Sequence, residues 1–282
     1  MMKPSPAEID RLVRMALEED APWGDITSQS LIPAAARVIA ELVAREPGVL
    51  CGEDVFAAAM SLTDPTVTTK FHVHDGDQFE KGDTVATIEG FARSVLQAER
   101  VALNFTQRLS GIATMTAQYV AETDGTKTRI VDTRKTTPGL RLLERYAVRC
   151  GGGVNHRFSL SDAVMAKDNH LAVLGKSLAE AIKQARAKLP HTTHFEVEVD
   201  SLDQIDEVLT AGVDTIMLDN FTTDDLRAGV AKIAGRALVE ASGGITLERI
   251  REIAATGVDI ISVGALTHSV RALDLGLDIR PE

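Results

Sequence analysis

The sequence predicts an α/β protein: a small N-terminal α+β domain followed by a (β/α) barrel that falls short of eight strands. Three observations carry this reading. Apolar runs alternate with amphipathic stretches from about residue 129 to 263, the texture of β/α units whose strands are covered on both faces. Glu198, Asp219, Ser242 and Gly264 close successive runs at intervals of 21, 23 and 22 residues, about one unit each. A chain of 282 residues also suits one barrel plus a smaller companion. A doubly wound open sheet could show the same repeat. The even spacing and the chemistry-capable residues at so many strand ends favour a barrel, whose strand ends share one mouth. Six strands can be counted, so the barrel is expected to be incomplete.

The elements follow in order. Ser5-Pro6-Ala7-Glu8 reads as a capping box that opens a helix with Ile9, Leu12, Val13, Ala16 and Leu17 on one face. Glu18-Glu19-Asp20, then Pro22 and Gly24, ends it. Residues 25–90 read as short strands at 38–44, 71–73 and 84–89 between Gly- and Pro-bearing turns, with one helix at 53–62. Residues 74–83 resemble the hairpin of biotinyl and lipoyl carrier domains. No lysine lies between Asp83 and Arg100, so that role is rejected and a structural strand pair is expected. Residues 94–120 read as a long helix broken at Ser110-Gly111. Barrel strands are expected at 129–132, 163–166, 194–199, 215–218, 237–240 and 260–263. Helices are expected at 140–148, 178–188, 202–210, 224–234 and 247–255. Too little chain follows Ser269 for another unit. The expected division is a first domain at 1–110, a catalytic barrel at 111–268 and a C-terminal segment at 269–282 that is free to return to the first domain.

Charge narrows the function. The net charge is −11, which opposes nucleic acid and anionic membrane as partners, and no Lys/Arg-rich run argues otherwise. The longest uncharged stretch, residues 109–121, is too short to span a bilayer. Cys51 and Cys150 form no metal spacing and read as free thiols of a reducing, cytoplasmic setting. Between Arg129 and Lys167, however, eight cations face three carboxylates, a local +5 in an acidic chain. Such an island suits small anions held in a pocket. Arg141, Arg145 and Arg149, at i, i+4 and i+8, could equally form a solvated helix stripe.

Several strings could carry chemistry. Residues 240–246 and 263–267 deliver glycine where a helix should begin, which lets backbone N–H groups approach an anion. Barrels commonly seat phosphate at their last two strand ends. Glu198 and Asp219, one repeat apart, should face the same mouth, where they suit sugar hydroxyls or Mg²⁺ held partly through water. Capping the next helix is the plainer role for either carboxylate. Arg134 and Lys135 directly follow an apolar strand and are poor packing residues. Arg suits a carboxylate bidentately, and Lys gives phosphate a point charge. Gly151-Gly152-Gly153 cannot continue a helix, so His156 and Arg157 are expected on a mobile loop.

With these residues on view, the chain resembles the quinolinate phosphoribosyltransferases, the carboxylating nicotinate-nucleotide pyrophosphorylases. The resemblance rests on Gly24-Asp25-Ile26-Thr27, residues 98–104, 107–113, 132–140 and 151–157, Lys167-Asp168-Asn169-His170, and residues 196–198, 218–221, 240–245 and 263–266. It implies an open-faced α/β sandwich on an incomplete barrel. It implies that quinolinate and phosphoribosyl pyrophosphate, with Mg²⁺ and no organic cofactor, give nicotinate mononucleotide, pyrophosphate and CO₂ on the route to NAD. It implies a homo-oligomer, at least a dimer, in which the small domain of one subunit covers its partner's barrel mouth. Family roles then fall on Arg134, His156, Arg157, Lys167 and Arg100 for the dicarboxylate, and on Lys135 for phosphate charge. They fall on Glu198 and Asp219 for the ribose and its metal, and on Ser242, Gly243, Gly244 and Gly264 for phosphate, with Thr133, Val263 and Ala265 completing the substrate site. Lys135, Lys167, Glu198 and Asp219 are the expected catalytic groups. Three rivals remain: a sister transferase for another aromatic acid, a barrel isomerase or aldolase on sugar phosphates, and a non-catalytic protein that binds anionic metabolites. The second is disfavoured because a Schiff-base lysine needs to stand away from other cations and Lys167 does not.

Overall fold

Ser5 opens the first helix, α1 (Pro6–Asp20), as a full capping box: its hydroxyl accepts from Glu8 N, and the Glu8 carboxylate accepts from Ser5 N at 3.2 Å. Ile9, Leu12 and Val13 are buried. The computed structural model describes residues 3–167, 170, 173, 175 and 177–281. It divides the chain into two units, residues 1–117, 137–152 and 269–282 against residues 118–136 and 153–268. Asp168 and Asn169 of the Lys167–His170 string lie outside the described residues.

In the first unit, Asp25 accepts from Thr27 N and Ser28 N and so starts a short helix, α2 (Ile26–Leu31), which the alternating-strand reading passed over. A four-stranded antiparallel sheet follows, built from β1 (Arg37–Ala44), β3 (Thr68–Phe71), β5 (Thr84–Phe91) and the C-terminal β12 (Leu275–Pro281), in the order β12-β1-β5-β3. Along β1, Val38, Ala40, Leu42 and Ala44 are buried in alternation, the mark of a sheet with one face on a core. Helix α3 (Glu53–Thr63) packs on α1 and β3.

Three expectations are corrected here. The third strand is 68–71 rather than 71–73, because His72 N and Val73 N both turn to Val85 O and leave the ladder. Residues 74–83 do not pair with themselves. Their strand β4 (Gln78–Phe79) pairs with β2 (Gly48–Val49), while Asp75 accepts from Gly52 N and Glu53 N and so caps α3. The long helix α4 (Ala92–Ala121) is unbroken. At its expected break Ser110 Oγ accepts from Cys51 N at 3.1 Å, and a Cβ on Gly111 would stand 2.2 Å from Arg271 O. Small residues serve close lateral packing there, not a break.

Helix α5 (Arg141–Cys150) also belongs to the first unit. Glu144 is fully buried and takes Arg108 at 2.6 Å and Thr137 N at 3.1 Å. Arg141, Arg145 and Arg149 are half-buried rather than a solvated stripe.

The second unit is a six-stranded parallel sheet of β6 (Arg129–Val131), β7 (Val164–Ala166), β8 (Phe195–Val199), β9 (Thr215–Asp219), β10 (Leu238–Ser242) and β11 (Ile260–Ser262). Its order is β6-β11-β10-β9-β8-β7, with the first strand beside the last. A doubly wound sheet reverses direction at a switch point, whereas a cylinder closes first strand on last. The order settles the choice for the barrel, open between β6 and β7, where residues 137–152 leave for the first unit. Between strands lie α6 (Leu178–Arg186), α7 (Ile205–Thr210) behind a 3₁₀ turn, α8 (Thr223–Ile233), α9 (Leu247–Ala254) and the short α10 (Ala265–His268). Among the described residues no helix is long and apolar enough to cross a membrane.

Candidate functional site

Each barrel strand delivers a polar group just at or beyond its C-terminal end, and these groups surround one cavity of about 560 Å³. Thr133, Arg134 and Lys135 follow β6, and Lys167 follows β7. Glu198 and Asp219 come from β8 and β9, Ser242 ends β10 with Gly243 and Gly244 behind it, and Gly264 follows β11. His156 and Arg157 complete the set. Twelve of the fifteen expected site residues therefore line a single cavity. Of the other three, Val263 is buried beside Gly264, Ala265 opens α10, and Arg100 is an exposed residue of α4 in the first unit.

The loop after β6 is held in place. Thr133 Oγ1 accepts from Lys135 N at 3.1 Å, and Thr267 Oγ1 donates to Lys135 O at 2.7 Å. A Cβ on Gly264 would stand 3.0 Å from Lys135 Cδ, so glycine lets the lysine stem lie across the last strand end.

The segment expected to be mobile is pinned as well. Buried Asp132 accepts from His156 N at 2.7 Å and from Asn155 Nδ2 at 2.6 Å. Arg157 Nη1 donates to Ala163 O at 3.0 Å. Burial, and the Arg134 guanidinium after it, lower the Arg157 pKa. Two guanidiniums that repel across a cavity make a site that favours an arriving anion.

In the same cavity Lys167 Nζ donates to Glu198 Oε2. These two were expected to serve different substrates, yet the fold joins them as an ion pair. Asn220 Nδ2 donates to Asp219 Oδ2 at 2.7 Å, which aims that carboxylate. Asn220 sits in the left-handed region at φ 59°, and its N–H donates to Ser242 O. A Cβ on Gly243, itself at φ 83°, would meet Asn220 Oδ1 at 2.2 Å. Gly243 is thus required by its neighbour as well as by any anion.

Sequence reasoning missed Met165, Met217, Asn220, Glu240, Ile245 and Ser262, which also line the cavity. It missed Glu196 too, buried on β8. His156 Nε2 lies 3.2 Å from Glu196 Oε2 and 3.3 Å from Glu240 Oε2. Burial opposes charge on this ring, but the hydrogen bonds to Glu196 and Glu240 outweigh it and push its pKa up to about 10. Arg157 N also donates to His156 Nδ1 at 2.7 Å, a contact that ring protonation would forfeit. That neutral hydrogen bond is worth about 1 kcal/mol, less than the gain from placing a charged Nε2–H between two carboxylates. The imidazolium prevails. The pKa of Glu196 is raised, first by burial, then by Glu240, against the pull of His156. The signals in the sequence were the period-2 placement of Glu196 before Glu198 and its place in the 196–198 string that carries the family resemblance.

For a metal, Glu198 and Asp219 offer the hard oxygens that Mg²⁺ prefers. Two other groups of possible ligands occur among the described residues: His156, Glu196 and Glu240, and, in the first unit, Cys51, Asp75 and Cys150. Asp75 is engaged by Gly52 N, Glu53 N and Tyr146 Oη, and both cysteines are free and buried.

An incomplete parallel barrel whose strand ends bring cations, two carboxylates and glycine turns to one cavity defines a class: a barrel protein with a site suited to small anions. Comparison with known proteins narrows the class. The family model for the quinolinate phosphoribosyl transferase C-terminal domain matches residues 112–278, and that for its N-terminal domain matches residues 25–110. The chain belongs to the quinolinate phosphoribosyl transferase family. It is 46% identical over 276 residues to the carboxylating nicotinate-nucleotide pyrophosphorylase of Mycobacterium leprae, covering 95% of each chain. The solved structure of NadC from Streptococcus pyogenes matches with a TM-score of 0.95 at 44% identity over 100% of both chains. The nicotinate-nucleotide pyrophosphorylase from Francisella tularensis matches at 0.93 and 40%, covering 99% of this chain and 98% of that one.

Proposed function

We propose that the protein transfers the phosphoribosyl group of phosphoribosyl pyrophosphate to quinolinate with loss of CO₂, giving nicotinate mononucleotide and pyrophosphate for NAD synthesis. The observation that carries this is one cavity that joins Arg134 and Arg157 to Glu198, Asp219 and the Ser242–Gly244 turn. A dicarboxylate fits the first group and a ribose phosphate the second.

Arg134 and Arg157 orient the acid so that its weakly nucleophilic ring nitrogen meets the anomeric carbon, which is chiefly a gain of proximity. Glu198 and Asp219 take ribose hydroxyls, with Asn220 fixing one Asp219 oxygen and leaving the other for the ligand. Lys135, the Ser242–Gly244 turn and Gly264, flanked by Val263 and Ala265, take phosphate charge. Lys167 neutralises Glu198 at rest and can turn to the incoming carboxylate. Mg²⁺, held by Glu198 and Asp219 partly through water, would stabilise the departing pyrophosphate. Once alkylated, the ring nitrogen is a cation that stabilises the electron pair left on the adjacent ring carbon as its carboxylate departs as CO₂. That carbon then takes a proton from water to give nicotinate mononucleotide. The chain needs no covalent nucleophile for this.

We further propose a cytoplasmic homo-oligomer, at least a dimer, in which Arg100 completes the partner's site. The two free thiols support the location. Release of CO₂ from quinolinate by the purified protein with phosphoribosyl pyrophosphate and Mg²⁺, matched by equal nicotinate mononucleotide, tests the activity. Failure to release CO₂, or preference for nicotinate over quinolinate, would overturn it in favour of a sister transferase.

A further inference from the structure

Two buried carboxylates, Glu240 in the cavity lining and Glu196 on β8, call for an explanation that the reaction above does not supply. Glu196 on β8 and Glu240 on β10 are 3% and 1% exposed, and each keeps an Oε1 atom without a partner among the described residues. Burying two carboxylates side by side costs several kcal/mol, and apolar residues of similar volume would serve stability as well or better. The feature they share is the ring of His156, whose Nε2 faces both.

That ring is fixed from two directions. Two acceptors on different strands define where Nε2 points, and Asp132 holds the His156 backbone. The next residue, Arg157, sends its guanidinium along the cavity wall to Ala163 O. A change in the seat of the imidazole therefore also shifts the root of a clamp arginine. Against the ring and its backbone stand Glu196 from β8, Glu240 from β10, Asp132 at the end of β6, and Arg157 beside it, with Arg134 acting on Arg157. Lys167, Glu198 and Asp219 face the same cavity.

Building on the proposed quinolinate reaction, we propose that Glu196 and Glu240 are positioning residues that seat the His156 ring, and with it Arg157, for the dicarboxylate. They act through that ring. Their charge also matches the ring's raised pKa, so the clamp keeps a cation at this point. Removing either carboxylate should weaken capture of the dicarboxylate and leave the sugar-phosphate side intact.

A double-mutant cycle between Glu240→Gln and His156→Ala tests this, with quinolinate Kd read by calorimetry and the KM of phosphoribosyl pyrophosphate read by kinetics. Glutamine keeps the shape and one acceptor oxygen but loses the charge. Glu240→Gln alone should raise quinolinate Kd about tenfold, the scale of one charge-assisted hydrogen bond, and change the other KM less than about twofold. In the His156→Ala background the same substitution should add less than about twofold, because a residue acting only through the ring has nothing left to act on. An equal tenfold loss in both backgrounds, or an unchanged Kd in Glu240→Gln, overturns the assignment. Glu196→Gln offers the same cycle if Glu240→Gln misfolds. Should both misfold, ¹⁵N spectra of the wild-type imidazole decide: an Nε2–H protected from exchange is expected, and a rapidly exchanging one overturns the proposal. Wild-type protein that binds quinolinate but shows additive cycles sinks only the positioning role. Wild-type protein that binds no quinolinate sinks the functional reading instead.

Discussion

Arg134 and Arg157 are placed by short loops whose backbone is tied down at Thr267 and Asp132, so their charge is aimed rather than free to wander. Arg134→Ala or Arg157→Ala should leave the fold intact and cut kcat/KM for quinolinate by about 2–4 kcal/mol of transition-state stabilisation. Steady-state kinetics with each variant checks this, and an unchanged kcat/KM in both would remove the clamp. His156 carries a second expectation. Its folded pKa of about 10 stands above the ordinary imidazole value of about 6.5, so the bound proton stabilises the native state. That stabilisation is fully present below about pH 6.5 and is lost as pH rises through about 10. Urea midpoints of wild type and His156→Gln, compared from pH 6 to 10, should therefore converge as pH rises. A gap that stays constant or widens contradicts the charged ring.

At the scale of elements, α4 is the instructive case. A Ser-Gly pair in mid-helix reads as a break because glycine costs a helix about 1 kcal/mol relative to alanine. Here the pair is the point of closest approach, with Arg271 O against Gly111 and the Cys51 backbone bonded to Ser110. Gly111→Ala would gain that helix propensity but set a methyl 2.2 Å from a backbone oxygen, which cannot swing aside. The clash should win, with a net loss of about 1–3 kcal/mol by chemical denaturation; a stabilised variant would contradict this packing. Helix α5 depends on a buried charge in the same way. Arg108→Ala would leave the fully buried Glu144 without its cation and should cost about 3–5 kcal/mol, seen as a lower denaturation midpoint.

For the whole molecule, the chain's path matters more than any one element. Residues 137–152 leave the barrel between its first and second strands, and residues 269–282 return to the first unit, where β12 extends the sheet beside β1. Arg100 lies in that first unit, on α4. If it serves a partner's cavity, inactive Arg100→Ala and Lys167→Ala subunits, mixed after dissociation, should regain activity. Random pairing makes half the dimers mixed, each with one intact site, so about a quarter of wild-type activity is expected. No recovery, with subunit exchange confirmed by mass, would place Arg100 outside a shared site.

The sequence by itself determined the barrel's six strands to within a few residues, the capping box of α1, and the strand-end residues that meet in the cavity. Each of these is local or periodic: a strand of apolar residues, a cap four residues long, a repeat of about 22. Tertiary structure decided what depends on which distant groups meet. It turned Ser110-Gly111 from a break into a contact and set Lys167 against Glu198. It brought Glu196 and Glu240, 44 residues apart, to one imidazole. In the sequence both stand in strings that carry the family resemblance, but nothing local shows that the two meet. Their effect is electrostatic in a buried, low-dielectric place, and that place exists only once β8 and β10 close around His156.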